Sequence, residues 1–98
     1  MEKSIPHCKL TVVKALLDAG KFQVTRTARN GASALGFDYP GMLAMVAALQ
    51  PSDFYKSMTT HAVHTIWQDV YHAATRLGDV YLKLTVVDDL LIVSFKEL

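Results

Sequence analysis

The chain has 98 residues, of which 51% are hydrophobic and 19% charged, with a formal net charge of +1. This excludes a disordered tail, which is poor in apolar residues and high in net charge, and it leaves room for one domain, residues 1–98. Cys8 is the single cysteine, so no internal disulfide can form, and a reduced, cytoplasmic setting is expected. Apolar runs of a few residues are too short for a membrane helix, and the opening Met1–Pro6 lacks the apolar stretch of a secretory signal. Charge is uneven along the chain. Residues 1–30 hold six cations and two anions, and residues 31–98 hold four cations and seven anions. A basic first third suits phosphate contact or a solvated helix face.

Helical signals fill the first half. Leu10, Val13, Leu16 and Leu17 follow one buried face and predict a helix from Pro6 or His7 to Ala19, closed by Gly20. Lys21–Thr25 reads as a short strand. Thr25 or Thr27 caps a second helix to Leu35, ended by Gly36, although Asn30-Gly31 weakens it inside. A third helix opens at Asp38-Tyr39-Pro40, buries Met42, Leu43, Met45, Val46 and Leu49, and stops before Pro51. Four strands are predicted next: Phe54–Thr60, Val63–His72, Asp79–Val87 and Leu90–Lys96. Helices followed by strands predict an α+β fold, an antiparallel sheet packed on one face by about three N-terminal helices.

Asp88-Asp89 between the last two strands suits a two-residue hairpin. That loop pairs Val87 with Leu90, Thr85 with Ile92, Lys83 with Ser94 and Tyr81 with Lys96. The other face pairs Val86 with Leu91, Leu84 with Val93 and Leu82 with Phe95, and it must meet the helices. The same alternation puts Lys56 with Met58, and His64, Ile66, Gln68 and Val70 together. Lys56 and Gln68 are then expected on the face of Tyr81, Lys83, Ser94 and Lys96, with Trp67 turned to the core.

Such a face matches the needs of RNA cleavage without a metal. A ribose 2′-hydroxyl must lose a proton, the 5′-oxygen must gain one, and the phosphorane charge must be matched. Lys56 suits a base or a phosphate clamp, Gln68 a phosphate orienter, Tyr81 an acid or a stacking ring, and Lys96 a counter-charge. From the pattern alone, a solvent-exposed sheet face with Lys and Tyr chosen for β-propensity and solubility is the simpler reading. His64, on the Gln68 face, is expected to contact substrate. His61, His64 and His72 suggest zinc, but residues 61 and 64 point to opposite faces of a strand and no cysteine pair assists, so no metal or cofactor is expected. Asp88-Asp89 is turn chemistry, and there is no glycine-rich phosphate loop or nucleophile elbow.

Four stretches carry a family resemblance: Ser52–Thr60, His64–Tyr71, Val80–Thr85 and Leu91–Glu97, with Pro6-His7 and Thr25-Arg26 before them. Over essentially its whole length the chain resembles the motility quorum-sensing regulator toxins, the mRNA interferase half of a type II toxin–antitoxin pair. The resemblance implies a RelE-like fold and endonucleolytic cleavage of mRNA at GCU-type sites, arresting translation and growth. It also implies an antitoxin partner with a zinc-binding N-terminal domain and a helix-turn-helix DNA-binding domain. The family's active residues carry over to Lys56, Gln68 and Tyr81, with Tyr55, Met58 and Lys96 around them. After Tyr71 the family usually has Arg-Pro, whereas this chain has His72-Ala73, so an imidazole replaces an obligate cation. Arg76, in the following loop, is the nearby candidate to replace it, and Lys83 is a further candidate RNA contact.

Two other classes fit the same sequence. One is a non-catalytic RNA-binding module, and the other a protein whose work is to hold its antitoxin. Either way, a small open sheet offers an edge to that partner, at Lys21–Thr25 or at the strand beginning at Phe54.

Overall fold

The computed structural model covers residues 1–98 and describes all of them except His61. Among the described residues the order is β1 (Glu2–Lys3), α1 (Leu10–Asp18), β2 (Phe22–Val24), α2 (Arg26–Leu35), α3 (Tyr39–Ala47), β3 (Phe54–Thr59), β4 (Trp67–Thr75), β5 (Gly78–Val87) and β6 (Asp89–Glu97). A single 3₁₀ turn, Pro51–Asp53, leads into β3.

Caps set the helix ends. Thr25 Oγ1 accepts from the Ala28 amide at 3.0 Å, and Asp38 Oδ1 accepts from the Gly41 amide at 2.7 Å. Gly20 and Gly36 take positive φ, 74° and 98°, at the exits of α1 and α2. The first helix starts at Leu10, later than the Pro6 or His7 expected. The reason lies in β4. The amides of His7 and Cys8 both donate to the Asp69 carboxylate at 3.0 Å, which holds this segment outside the helix.

The sheet has the order β1-β3-β4-β5-β6-β2. Neighbours run antiparallel except β2, which pairs parallel with β6. The fold is therefore α+β with a mostly antiparallel sheet. All three helices pack on one sheet face. Val13, Ala28, Ala32, Met42 and Val46 meet Tyr71, Val80, Leu82, Leu84, Ile92 and Phe95 there, all buried. Burying each of the larger side chains contributes about 1.5–3 kcal/mol.

Four expectations are corrected. A two-residue β1, which no pattern announced, lies along β3, so the strand at Phe54 is not an edge, and the outer strands are β1 and β2. Strand β4 begins at Trp67 instead of Val63, because Thr60 Oγ1 accepts from the Val63 amide and donates to its carbonyl, forming a turn. Asp88 alone, at φ 66°, joins β5 to β6, so Val87 pairs with Asp89 and Leu84 with Ile92. The register then shifts by one, restoring Lys83 with Ser94 and Tyr81 with Lys96 as expected. Ile92 is consequently in the core, while Leu91 and Val93 are only half-buried. The bulge has a visible anchor: Thr25 Oγ1 donates to the Val93 carbonyl at 2.7 Å. Trp67 does turn to the helix side, yet it stays outside the core. His7 stacks on it at 5.7 Å and Lys3 Nζ lies 4.2 Å from its ring.

Candidate active site

The sheet face away from the helices carries the polar groups. Alternation along each strand delivers them. The central rung runs Lys56, Val70, Lys83, Ser94 across β3 to β6. On one side the next rung runs His72, Tyr81, Lys96. On the other side Met58 pairs with Gln68. Adjacent strands are about 4.8 Å apart and successive same-face residues about 7 Å apart, so the three rungs match the spacing of neighbouring nucleotides. Val70 has no exposed surface although it lies on this outer face. It forms an apolar floor between the two lysines of its rung.

A bulge brings a further ring. The β3–β4 register shifts between Phe54 and Lys56, leaving Tyr55 as the extra residue. An extra residue re-aims its side chain, and the Tyr55 ring stacks on His72 at 4.1 Å and 16°. His72 in turn lies 5.8 Å from the Tyr81 ring. Lysines surround this row. Lys56 Nζ is 5.6 Å from the Tyr55 ring, and Lys96 Nζ and Lys83 Nζ are 5.0 Å and 5.9 Å from the Tyr81 ring. Electron-rich faces attract the ammonium groups and hold them near the row.

Two of the lysines are pushed in opposite directions by their surroundings. Lys56 donates to Glu2 Oε2 at 2.7 Å, and this hydrogen bond holds its ammonium above the usual lysine range. Burial pushes Lys83 below that range, with Lys96 and then Lys56 adding like-charge repulsion. Beyond Gln68 the face opens into a cavity of about 600 Å³, lined by Gln23, Ile66, Thr85 and Leu91. A larger cavity of about 830 Å³ lies elsewhere, among Leu17, Phe22 and Leu43 of α1, β2 and α3.

Of the residues the sequence singled out, Lys56, Met58, Gln68, Tyr81, Lys83 and Lys96 share this face, and Tyr55 joins through its bulge. His64 and Arg76 lie apart. His64 is exposed in the turn before β4, and Arg76 is exposed at the tip of the β4–β5 hairpin. From His72 to Arg76 is four residues, roughly 13 Å along a strand. The zinc suggestion rests partly on His61, which lies outside the described residues. Sequence reasoning missed Glu2 and His72 as members of the cluster. Extending the alternation of Gln68 and Val70 by two residues reaches His72. A two-residue strand such as β1 has no periodicity to find.

The cluster can hold phosphates with ammonium groups and lay bases against stacked rings. The comparisons agree with that chemistry. A family model described as motility quorum-sensing regulator, toxin of MqsA, matches residues 5–97. The chain is 55% identical over 97 residues to the mRNA interferase toxin MqsR of Escherichia coli (strain K12), with 99% of each chain covered. Matches of this extent show common descent over the whole sheet and all three helices, and the chain belongs to the motility quorum-sensing regulator toxin family.

Proposed function

We propose that this protein is the toxin of a type II toxin–antitoxin pair and acts as a metal-independent endoribonuclease on mRNA. One observation carries the reading. Lys56, Lys83 and Lys96 converge with Tyr55 and Tyr81 on a single open sheet face above Val70. RNA lies across the rungs with its scissile phosphate between Lys56 and Lys96. Lys56, kept charged by Glu2 until the phosphate displaces that carboxylate, clamps a non-bridging oxygen. The Gln68 amide orients the phosphate, and Tyr81 gives its hydroxyl proton to the departing 5′-oxygen. Fixed ammonium groups match the charge that builds in the phosphorane, where such donors matter most. Tyr55 and Met58 offer apolar surface to the flanking bases.

The substrate preference is for GCU-type sites, and cleavage there stops translation and growth in the cytoplasm. No helix among the described residues is long and apolar enough to cross a membrane. The partner is an antitoxin with a zinc-binding N-terminal domain and a helix-turn-helix domain. It adds a strand to the free edge of β2, next to the cavity that Phe22 lines.

The test is chemical. Purified protein given GCU-containing RNA in EDTA should leave 2′,3′-cyclic phosphate ends, and activity should fall in Gln68→Ala and Tyr81→Phe. Salt-sensitive RNA binding with no cut product would instead identify a non-catalytic binding module.

A further inference from the structure

The active face does not end at the rung that Gln68 shares with Met58. Thr85 Oγ1 donates to the Trp67 carbonyl at 2.7 Å, which ties Thr85 to the stretch of β4 that carries Gln68. Thr85 pairs in turn with Leu91 of β6, and two residues further along the strands Val87 pairs with Asp89. Alternation keeps these four on the face of Lys83. With Ile66, just before β4, and Asp88 of the turn, they enclose the cavity of about 600 Å³ beyond Gln68. Ile66, Val87 and Leu91 give it apolar surface, and Gln68, Thr85 and the two carboxylates give it polar groups, the usual make-up of a ligand pocket. Charge changes sign at Gln68. Lys56, Lys83 and Lys96 lie on one side, whereas among the described residues that line the cavity none is Lys or Arg. Asp88 and Asp89 are exposed, and the single ion pair among the described residues is Lys56 with Glu2, so neither carboxylate is neutralised by a cation. A phosphate is therefore held over the lysines and repelled from the cavity, while an uncharged base can enter it.

We propose that this cavity is a base-reading pocket, and that it takes a guanine next to the scissile phosphate. The proposal rests on the nuclease reading above and adds the groups that select where the cut falls. The Gln68 rung is one step, about 7 Å, from that of Lys56 and Lys83, so a base beside the held phosphate reaches the cavity. Single-stranded RNA is read in this way, with bases splayed from the backbone and hydrogen-bonded along their Watson–Crick edges. The acceptors select the base. Carboxylate oxygens only accept, and the Thr85 hydroxyl, already donating to Trp67, has only lone pairs left to offer. They call for an edge of N–H donors. Guanine presents its N1–H and its N2 amino group side by side, matching the two oxygens of the Asp89 carboxylate, with Asp88 adding negative field. Adenine and cytosine set one amino group beside a ring acceptor. Uracil sets one N–H between two carbonyls, and those oxygens lose water to face carboxylates. The Gln68 amide stands on the border and serves both sides, its NH2 group toward the phosphate and its oxygen toward the base. Ile66 and Leu91 offer apolar surface to the ring.

The experiment is single-turnover cleavage in EDTA of short oligonucleotides that carry a single 2′-hydroxyl, at the linkage to be cut. The base on each side of that linkage is varied in turn among guanine, hypoxanthine, adenine, cytosine and uracil. Hypoxanthine is guanine without its N2 amino group. The proteins compared are wild type, Asp89→Asn and the double variant Asp88→Asn/Asp89→Asn. At one flanking position wild type should cut the guanine substrate about 10-fold faster than the hypoxanthine substrate, or more. In both variants that ratio should fall to within about twofold. The uracil substrate should be cut by the variants within about threefold of the wild-type rate, a split that misfolding would not produce. Equal wild-type rates on guanine and hypoxanthine at both positions would overturn the pocket, as would a ratio that both variants keep, and either result leaves the nuclease reading standing. A wild-type protein that cuts none of these substrates would overturn the nuclease reading. The pocket is then judged by fluorescence anisotropy on the same oligonucleotides, where equal affinity for guanine and hypoxanthine would overturn it as well.

Discussion

Lys56 and Glu2 form an ion pair 2.7 Å long between β3 and the two-residue strand β1. The hydrogen bond pulls Glu2 below the usual carboxylate range and lifts Lys56 above the usual ammonium range. The pair therefore stabilises the fold from above the carboxylate range up to the ammonium range. That contribution fades as pH falls through the lowered Glu2 value or rises through the raised Lys56 value. In urea melts, the stability difference between wild type and Glu2→Gln should be present at pH 7 and shrink below about pH 4. Because Glu2 competes with phosphate for Lys56, Glu2→Gln should also tighten uncleavable RNA, up to about fivefold at low salt. Equilibrium binding measures this directly.

Lys83 and Lys96 are coupled through the opposite sign. Burial and then Lys96 depress the Lys83 ammonium. Lys96→Ala should raise the Lys83 titration midpoint, and Lys56→Ala should raise it less. Carbon-detected NMR titration of labelled lysine side chains reads the shift.

Asp69 is a structural carboxylate. It is 4% exposed and accepts the amides of His7 and Cys8, far from it in sequence. Asp69→Ala leaves those donors without their partner and should cost about 1–3 kcal/mol in denaturant unfolding. Faster hydrogen exchange at His7 and Cys8 should accompany it.

Gly31 is required by close packing of α2 on β6. A Cβ at this position would collide with the Phe95 carbonyl oxygen. Gly31→Ala should destabilise by about 1–3 kcal/mol despite alanine's better helix propensity. Thermal melts compared with the neighbouring Asn30→Ala, which is exposed, separate the packing effect from propensity.

Much of this was readable from residue patterns, and the exceptions have physical causes. Thr25, Gly36 and Asp38 marked helix ends because cap chemistry is local. Tyr81 opposite Lys96 and Lys83 opposite Ser94 followed from alternation, although the turn beside them was misjudged. The bulge near Val93 offset that error, and it depends on Thr25, a residue distant in sequence. Gly31 looked like a flaw in a helix because its reason lies in a strand it touches only in the fold. Lys56 and Gln68 were legible as a pair on one face, whereas Glu2 was not. Its place depends on long-range pairing with Met58, which leaves no trace in local sequence. His72 stands out in the sequence as a departure from its relatives, whereas its stacking on Tyr55 depends on the β3 bulge.

The central claim is most directly tested by single-turnover cleavage of GCU-containing RNA in EDTA by wild type and Lys56→Ala, with folding checked by circular dichroism. Wild type should leave 2′,3′-cyclic phosphate products, and the variant should cut about 100-fold more slowly or worse. Equal rates from the two proteins, or intact RNA in both reactions, would contradict it.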